Sequence, residues 1–343
     1  MIASDRYDAI PKVELHCHLE GAVRPATVVE LARKHGRRLP TEDPTDLYRF
    51  TSLNSFLEIF WLVQSLIGDQ DDWARVAYEA TIDAAPHGLR YREAFFTPAR
   101  HLEAGQSLGE IVAGLSEGLD AAERETGVRS ALICDIDRSY GPIAAVELAE
   151  DLVALRRAGR AERVIGLGMD STERGVDPAD FASAYDVGRR AGLRATGHAG
   201  EDTGPENIVA ALDALRLERI DHGIAVIEDP ALVQRLAQAR VALNVCPSSN
   251  VVIANRYPSL SEHPLRRMRD AGLLVTINTD DPAMTGTDLG TEYRDVAAAL
   301  GYGYDEMCRI AVEGIDATWL AQPERDDLRR SFEDTIAQLG AQA

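Results

Sequence analysis

The chain has 343 residues, 45% of them hydrophobic, with 36 Lys and Arg against 56 Asp and Glu and a net charge of −20. Such a balance argues against nucleic acid or an anionic membrane surface as partner, because phosphate binding needs clustered cations to release counterions. The four cysteines (Cys17, Cys134, Cys246, Cys308) form no C-x-x-C pair, the opening MIASDRYDAIP has no apolar core, and no run of about 18 apolar residues occurs, so a reduced, cytoplasmic protein is expected.

Short β-rich runs alternate with helical patterns along the whole chain. They are VELHCH (13–18), LRYREAFF (89–96), RSALICDID (129–137), VIGLGMD (164–170), LRATGHA (193–199), RIDHGI (219–224), VALNVCP (241–247) and LLVTINTD (273–280). Between them, stretches such as LGEIVAGLSEGLDAAERE and PALVQRLAQAR carry apolar residues at three and four spacing. Eight strands alternating with helices predict an α/β (β/α)8 TIM-type barrel, with a doubly wound open sheet as the alternative. The barrel is favoured because the unusual polar residues cluster at strand ends, where barrel enzymes build their sites. No linker divides the chain, so one domain spanning 1–343 is expected. The stretch 24–86 is too long for one crossover and predicts extra helices covering the C-terminal face.

Residues two apart on a strand face the same way, so His16 and His18 can grip one ion. His198 ends the fifth run, with Glu201 three residues on, and Asp280 and Asp281 end the eighth. A lone inward histidine is usually a satisfied core residue, and two acids before Pro282 are also ordinary turn formers. Together, three histidines and a carboxylate from three strand ends suit zinc, which lowers the pKa of water toward about 7. Glu201 and His222 remain as groups that move protons; alternatively they are a helix first-turn acid and a histidine bonded to a carbonyl. The only lysines are Lys12 and Lys34, so a two-metal site bridged by a modified lysine on the fourth strand is excluded. One metal per chain is expected.

The ordered set PKVELHCHLEGA, HAGE, RIDHGI, CPSSN and TINTDDP resembles the adenosine deaminase family of metal-dependent amidohydrolases, from about Pro11 to Leu320. The resemblance implies zinc on His16, His18, His198 and Asp280. Glu201 would protonate the purine ring, His222 would orient and help deprotonate the attacking water, and Asp281 would bond the far side of the ring. SLNSFLEIFWLVQSL (52–66) resembles the family's lid, with Phe56 and Phe60 at i, i+4; both are equally well read as core residues of an amphipathic helix.

Two departures bear on the substrate. Glu20 stands where the family usually has Asp against the ribose 5′-hydroxyl, and Met169-Asp170-Ser171-Thr172-Glu173 replaces a run whose glycine meets ring N3. HLEG and MDSTE resemble the adenine deaminase branch, whereas TDLGTEY (287–293) and FLEIF resemble the nucleoside branch. The reading places adenosine or 2′-deoxyadenosine first, with Glu20 and Ser171 as substrate contacts. Adenine, or a modified 6-aminopurine nucleoside such as aminodeoxyfutalosine, is the alternative. Two other classes compete: a mononuclear amidohydrolase of non-purines, which has no need of Glu201 and Asp281, and a barrel that binds a metabolite without turnover. The cytidine-type deaminase fold is set aside, because Cys246 alone cannot supply P-C-x-x-C. Oligomeric state is not legible in the sequence.

Overall fold

The structure, a computed structural model, describes residues 6–41, 43–51 and 53–341. Residues 1–5 of the opening segment and Ser52 at the head of the expected lid lie outside them. Among the described residues, nine short strands occupy eight positions around a barrel: β1 (Lys12–Glu14), β2 (Leu89–Phe96), β3 (Arg129–Asp137), β4 (Val164–Asp170), β5 (Arg194–Ala195), β6 (His198–Ala199), β7 (Arg219–His222), β8 (Ala242–Val245) and β9 (Leu274–Ile277). All pairings are parallel, in two arcs, β1-β2-β3-β4-β5 and β6-β7-β8-β9. Most Val, Ile and Leu of these strands are enclosed on both faces, as parallel sheets covered by helices require; Leu132, Ile133, Leu243 and Val275 are fully buried.

The fifth run is split in two at Thr196–Gly197. The arcs still join there, because Thr196 N–H donates to Leu167 O and Asp221 N–H to Gly197 O, both at 3.0 Å. On the other side a parallel bridge links Cys17 to Asp280, where Asp280 N–H donates to His16 O at 3.1 Å and His18 N–H to Asp280 O at 2.8 Å. The barrel therefore closes through the segments that carry three of the expected metal ligands.

The insertion after β1 divides into two roles. Helix Leu53–Gln64 lies over the barrel mouth, with Phe56, Phe60, Trp61 and Gln64 lining the cleft there. Helix Gln70–Ala84 does not; it packs on the outer ring against helix Leu108–Thr126. That approach is close, since a Cβ on Gly118 would sit 2.0 Å from Ala74 O. The part of 24–86 covering the mouth is thus smaller than expected, because the second of these helices serves as the ordinary crossover to β2.

Between the barrel wall and the helix Gln70–Ala84 lies a buried charge pair. Arg92 reaches Glu14 through Nε at 2.8 Å and Nη2 at 2.6 Å, and donates to Ala80 O at 2.9 Å. Glu14 in turn accepts from Thr279 Oγ1 at 2.6 Å, one residue before Asp280. Arg92→Met would leave the Glu14 carboxylate buried without its cation, a loss of about 3–5 kcal/mol. Urea unfolding should register that loss as a lowered midpoint, and an unchanged midpoint would contradict it.

Candidate active site

His16 and His18 continue inward from β1, His198 opens β6, and Asp280 follows β9, so four strand positions converge. Nε2 of His16 and of His18 lie 3.0 and 3.4 Å from Asp280 Oδ1, and Nε2 of His18 and His198 are 3.4 Å apart. All four donor atoms fall within 4.8 Å of one another. Each imidazole's other nitrogen faces an acceptor. His198 Nδ1 donates to Met169 O at 3.0 Å, His16 Nδ1 lies 3.3 Å from Asp221 Oδ1, and His18 Nδ1 is 3.7 Å from Asp135 Oδ2. The Met169 carbonyl fixes the His198 ring and aims its Nε2 at the common point, while Asp221 and Asp135 set acidic groups beside the other two rings. Ser249 Oγ donates to Asp280 Oδ2 at 2.6 Å and fixes the carboxylate similarly.

The fit to a cation is chemical as well as spatial. Burial lowers His18 to about 3 against the opposing pull of Asp280, and burial, then the neighbouring imidazoles led by His16, lowers His198 well below its ordinary value, so both offer lone pairs. For His16, burial is outweighed by Asp280 and Asp221, which raise it to about 10. Yet neither His16 nitrogen is aligned for a hydrogen bond despite those short distances. Three imidazoles and one carboxylate facing a common point form a nitrogen/oxygen donor set that zinc favours. Cys246 also comes within 4.8 Å of His16, His222 and Asp280. Burial, then the charges of Asp280 and Glu292, raises its thiol well above the ordinary range.

Three titratable groups border this cluster. His222, fully enclosed, places Nε2 3.6 Å from Glu201 Oε2 and 3.9 Å from Asp280 Oδ2, and burial first, then His16, lowers it to about 4. Glu201 is raised well above the usual carboxyl range by burial, then by the charges of Asp280, Glu173 and Asp202. Asp281 is raised likewise by burial and then by Asp280. A cation at the cluster would offset the Asp280 contribution and leave the burial contribution in place. Asp281 has room only because residue 21 is glycine: a Cβ there would sit 1.8 Å from Asp281 Oδ1. The turn bearing Glu201 is held by Glu173, which accepts from the N–H groups of Gly200 at 2.7 Å and Glu201 at 2.8 Å, and from Thr203 Oγ1.

These groups open into a cleft of about 730 Å³, lined also by Phe56, Phe60, Trp61, Thr97, Asp170, Ser171 and Ile253. His222, Asp280 and Ser171 all have left-handed backbones, with φ of 60°, 64° and 73°. Non-glycine residues in that conformation store strain, which concentrates at functional sites. Phe56 and Phe60 meet both readings, since they are buried and also face the cleft. Glu20 departs from its expected place. It lies in the 3-10 turn Glu20–Ala22, fully buried, with Oε1 accepting from Thr97 N–H at 2.8 Å, and it is absent from the cleft lining. No lysine ends β4; its last residue is Asp170, which accepts from Thr97 Oγ1 at 2.5 Å. Lys12 lies at the other end of the barrel, its ammonium on Ile10 O at 2.8 Å and His87 O at 2.9 Å.

Sequence reasoning passed over Asp135, Asp221, Ser249 and Glu173 as orienting groups. Ser249 and Asp221 were visible only as members of the quoted CPSSN and RIDHG runs, and Glu173 as the last acid of MDSTE.

The family model described as adenosine deaminase matches residues 11–335. An adenine deaminase of Streptomyces coelicolor is 38% identical over 325 residues, covering 93% of this chain and 94% of that protein. Among solved structures, an adenine deaminase of Arthrobacter aurescens is similar at a TM-score of 0.90 and 32% identity, covering 95% of this chain and 99% of that one. An amidohydrolase of Burkholderia ambifaria with bound zinc has a TM-score of 0.89 and 30% identity, covering 99% of this chain and 96% of that one.

Proposed function

Because the chain belongs to the adenosine deaminase family and is a hydrolase that removes the 6-amino group of a purine, we propose that free adenine is its substrate. We further propose that His16, His18, His198 and Asp280 hold one zinc ion. Bound there, zinc would supply a nucleophile from water at neutral pH by Lewis-acid activation.

The chain's own residues account for the rest. Glu201, kept protonated by burial, donates to ring N1 and makes C6 electrophilic. Asp281, also protonated, donates to ring N7 and holds the base flat. The N1 proton stays on the product, hypoxanthine. One water proton restores Glu201 and the other departs with the amine as ammonia, so the carboxyl returns to its starting state. Phe60 and Phe56 give the base an apolar wall and exclude water.

Glu20 carries the choice of base over nucleoside. One oxygen of its carboxylate accepts from the Thr97 amide, and the side chain is absent from the cleft lining where it was expected to meet a ribose hydroxyl. This position and the relatives named adenine deaminase favour adenine over adenosine, the first expectation from the sequence. Loss of the 6-amino chromophore should give adenine a kcat/KM at least about tenfold above adenosine or 2′-deoxyadenosine, equivalent to roughly 1.4 kcal/mol. Adenosine matching or exceeding adenine would overturn the substrate, and turnover of neither would overturn the activity.

Ser171 provides a second check. Glycine adopts its left-handed conformation without the Cβ penalty, so Ser171→Gly should gain about 1 kcal/mol in urea unfolding. It should also raise adenosine turnover relative to adenine by widening the cleft. No change in either quantity would contradict both effects.

A further inference from the structure

The hydrogen bonds around His222 have a direction, and it is set outside the cleft. Leu265 N–H donates to His263 Nδ1 at 3.2 Å, and a backbone N–H can only donate, so that nitrogen is an acceptor. Burial lowers His263 to about 3 and keeps the ring neutral, which places its one proton on Nε2. Nε2 lies 3.2 Å from Asn250 Oδ1. The amide is therefore turned with its oxygen toward His263 and its nitrogen toward the site. Asn250 Nδ2 donates to His222 Nδ1 at 3.0 Å and reaches Glu201 Oε1 at 3.5 Å. His222 Nδ1 being the acceptor, the proton of a neutral ring sits on Nε2, facing Glu201 and Asp280. The reversed amide would require both His263 nitrogens to accept, which no neutral imidazole does. Asn250, His222 and His263 are 0%, 1% and 4% exposed, so water does not compete for these bonds.

We propose that His263 and Asn250 are positioning residues that lock His222 as its Nε2–H tautomer, so that it presents a hydrogen-bond donor, rather than a base, to the oxygen attacking C6. This rests on the assignment of His222 to the reaction, and it replaces the sequence expectation that His222 helps deprotonate the water. The water proton goes instead to Glu201, emptied when its own proton passed to N1. A donor fixed before substrate arrives costs no reorganisation as charge develops on that oxygen.

Asn250→Asp tests it with an isostere that swaps donor for acceptor. The new carboxylate accepts from both rings and draws the His222 proton onto Nδ1. In the zinc-loaded protein, kcat for adenine should fall about 10–100-fold with metal content unchanged and KM within about threefold. His263→Phe keeps a ring but donates nothing and should lose a similar factor, whereas His263→Gln places an amide N–H near the former Nε2 and should recover most of it. Nitrogen NMR of histidine-labelled wild-type protein should find His222 Nδ1 unprotonated, a readout that needs no variant to fold. A protonated Nδ1 there, or wild-type kcat in Asn250→Asp, would overturn the proposal. His222→Ala separates the two levels. Collapse of its turnover beside an unaffected Asn250→Asp sinks only the relay, while wild-type turnover removes His222 from the reaction and the relay with it.

Discussion

Glu201→Gln is expected to bind metal and adenine nearly as the wild type does, and to turn over at least about 100-fold more slowly. The substitution keeps the side chain's length and its backbone anchorage, because Glu173 holds the Glu201 N–H rather than its carboxyl. What it removes is a proton that can leave and return. An amide can donate a hydrogen bond to N1 but cannot transfer the proton, so ground-state binding survives while the transition state does not. Steady-state kinetics with metal analysis separates the outcomes. A defect confined to KM would make Glu201 a binding residue and would reassign the acid.

The other large effect concerns the metal. His198→Ala should reduce bound zinc from about one per chain to near zero and abolish activity, since a nitrogen/oxygen site of four protein donors loses a full ligand. The same variant leaves Nε2 of His18 without the ring it now faces at 3.4 Å. His222→Ala, by contrast, should keep the metal while losing turnover, because its Nε2 stands 3.9 Å from Asp280 on the other oxygen of that carboxylate. Elemental analysis decides between them. Two metals per chain in the wild type, or full activity after complete chelation, would sink the mononuclear assignment.

Much of the candidate site was legible because the residues proposed as ligands sit at strand ends, where a period of two fixes the facing direction. H-x-H put His16 and His18 inward, and the ends of the fifth and eighth runs supplied His198 and Asp280. Three strands, β2, β3 and β4, match their sequence runs residue for residue. Glu20 was misplaced because it follows the strand in a 3-10 turn, where alternation no longer applies, and a buried amide at Thr97 captures it. TDLGTEY pointed toward nucleosides but serves the scaffold. Asp288 caps the helix Leu289–Leu300, and Glu292 accepts from Ser248 N–H at 2.9 Å, away from the cleft. Orienting partners such as Asp221 under His16, or His263 behind Asn250, come from other elements and depend on inter-strand register and amide orientation. Neither leaves a local pattern in the chain.

The central claim is hydrolytic removal of the purine 6-amino group, and isotope transfer tests it most directly. Zinc-loaded protein incubated with adenine in water enriched in heavy oxygen should yield hypoxanthine labelled at O6, with ammonia released in equal amount, because the oxygen entering at C6 comes from water. Adenine recovered unchanged, or ammonia released without label entering the ring product, would contradict it.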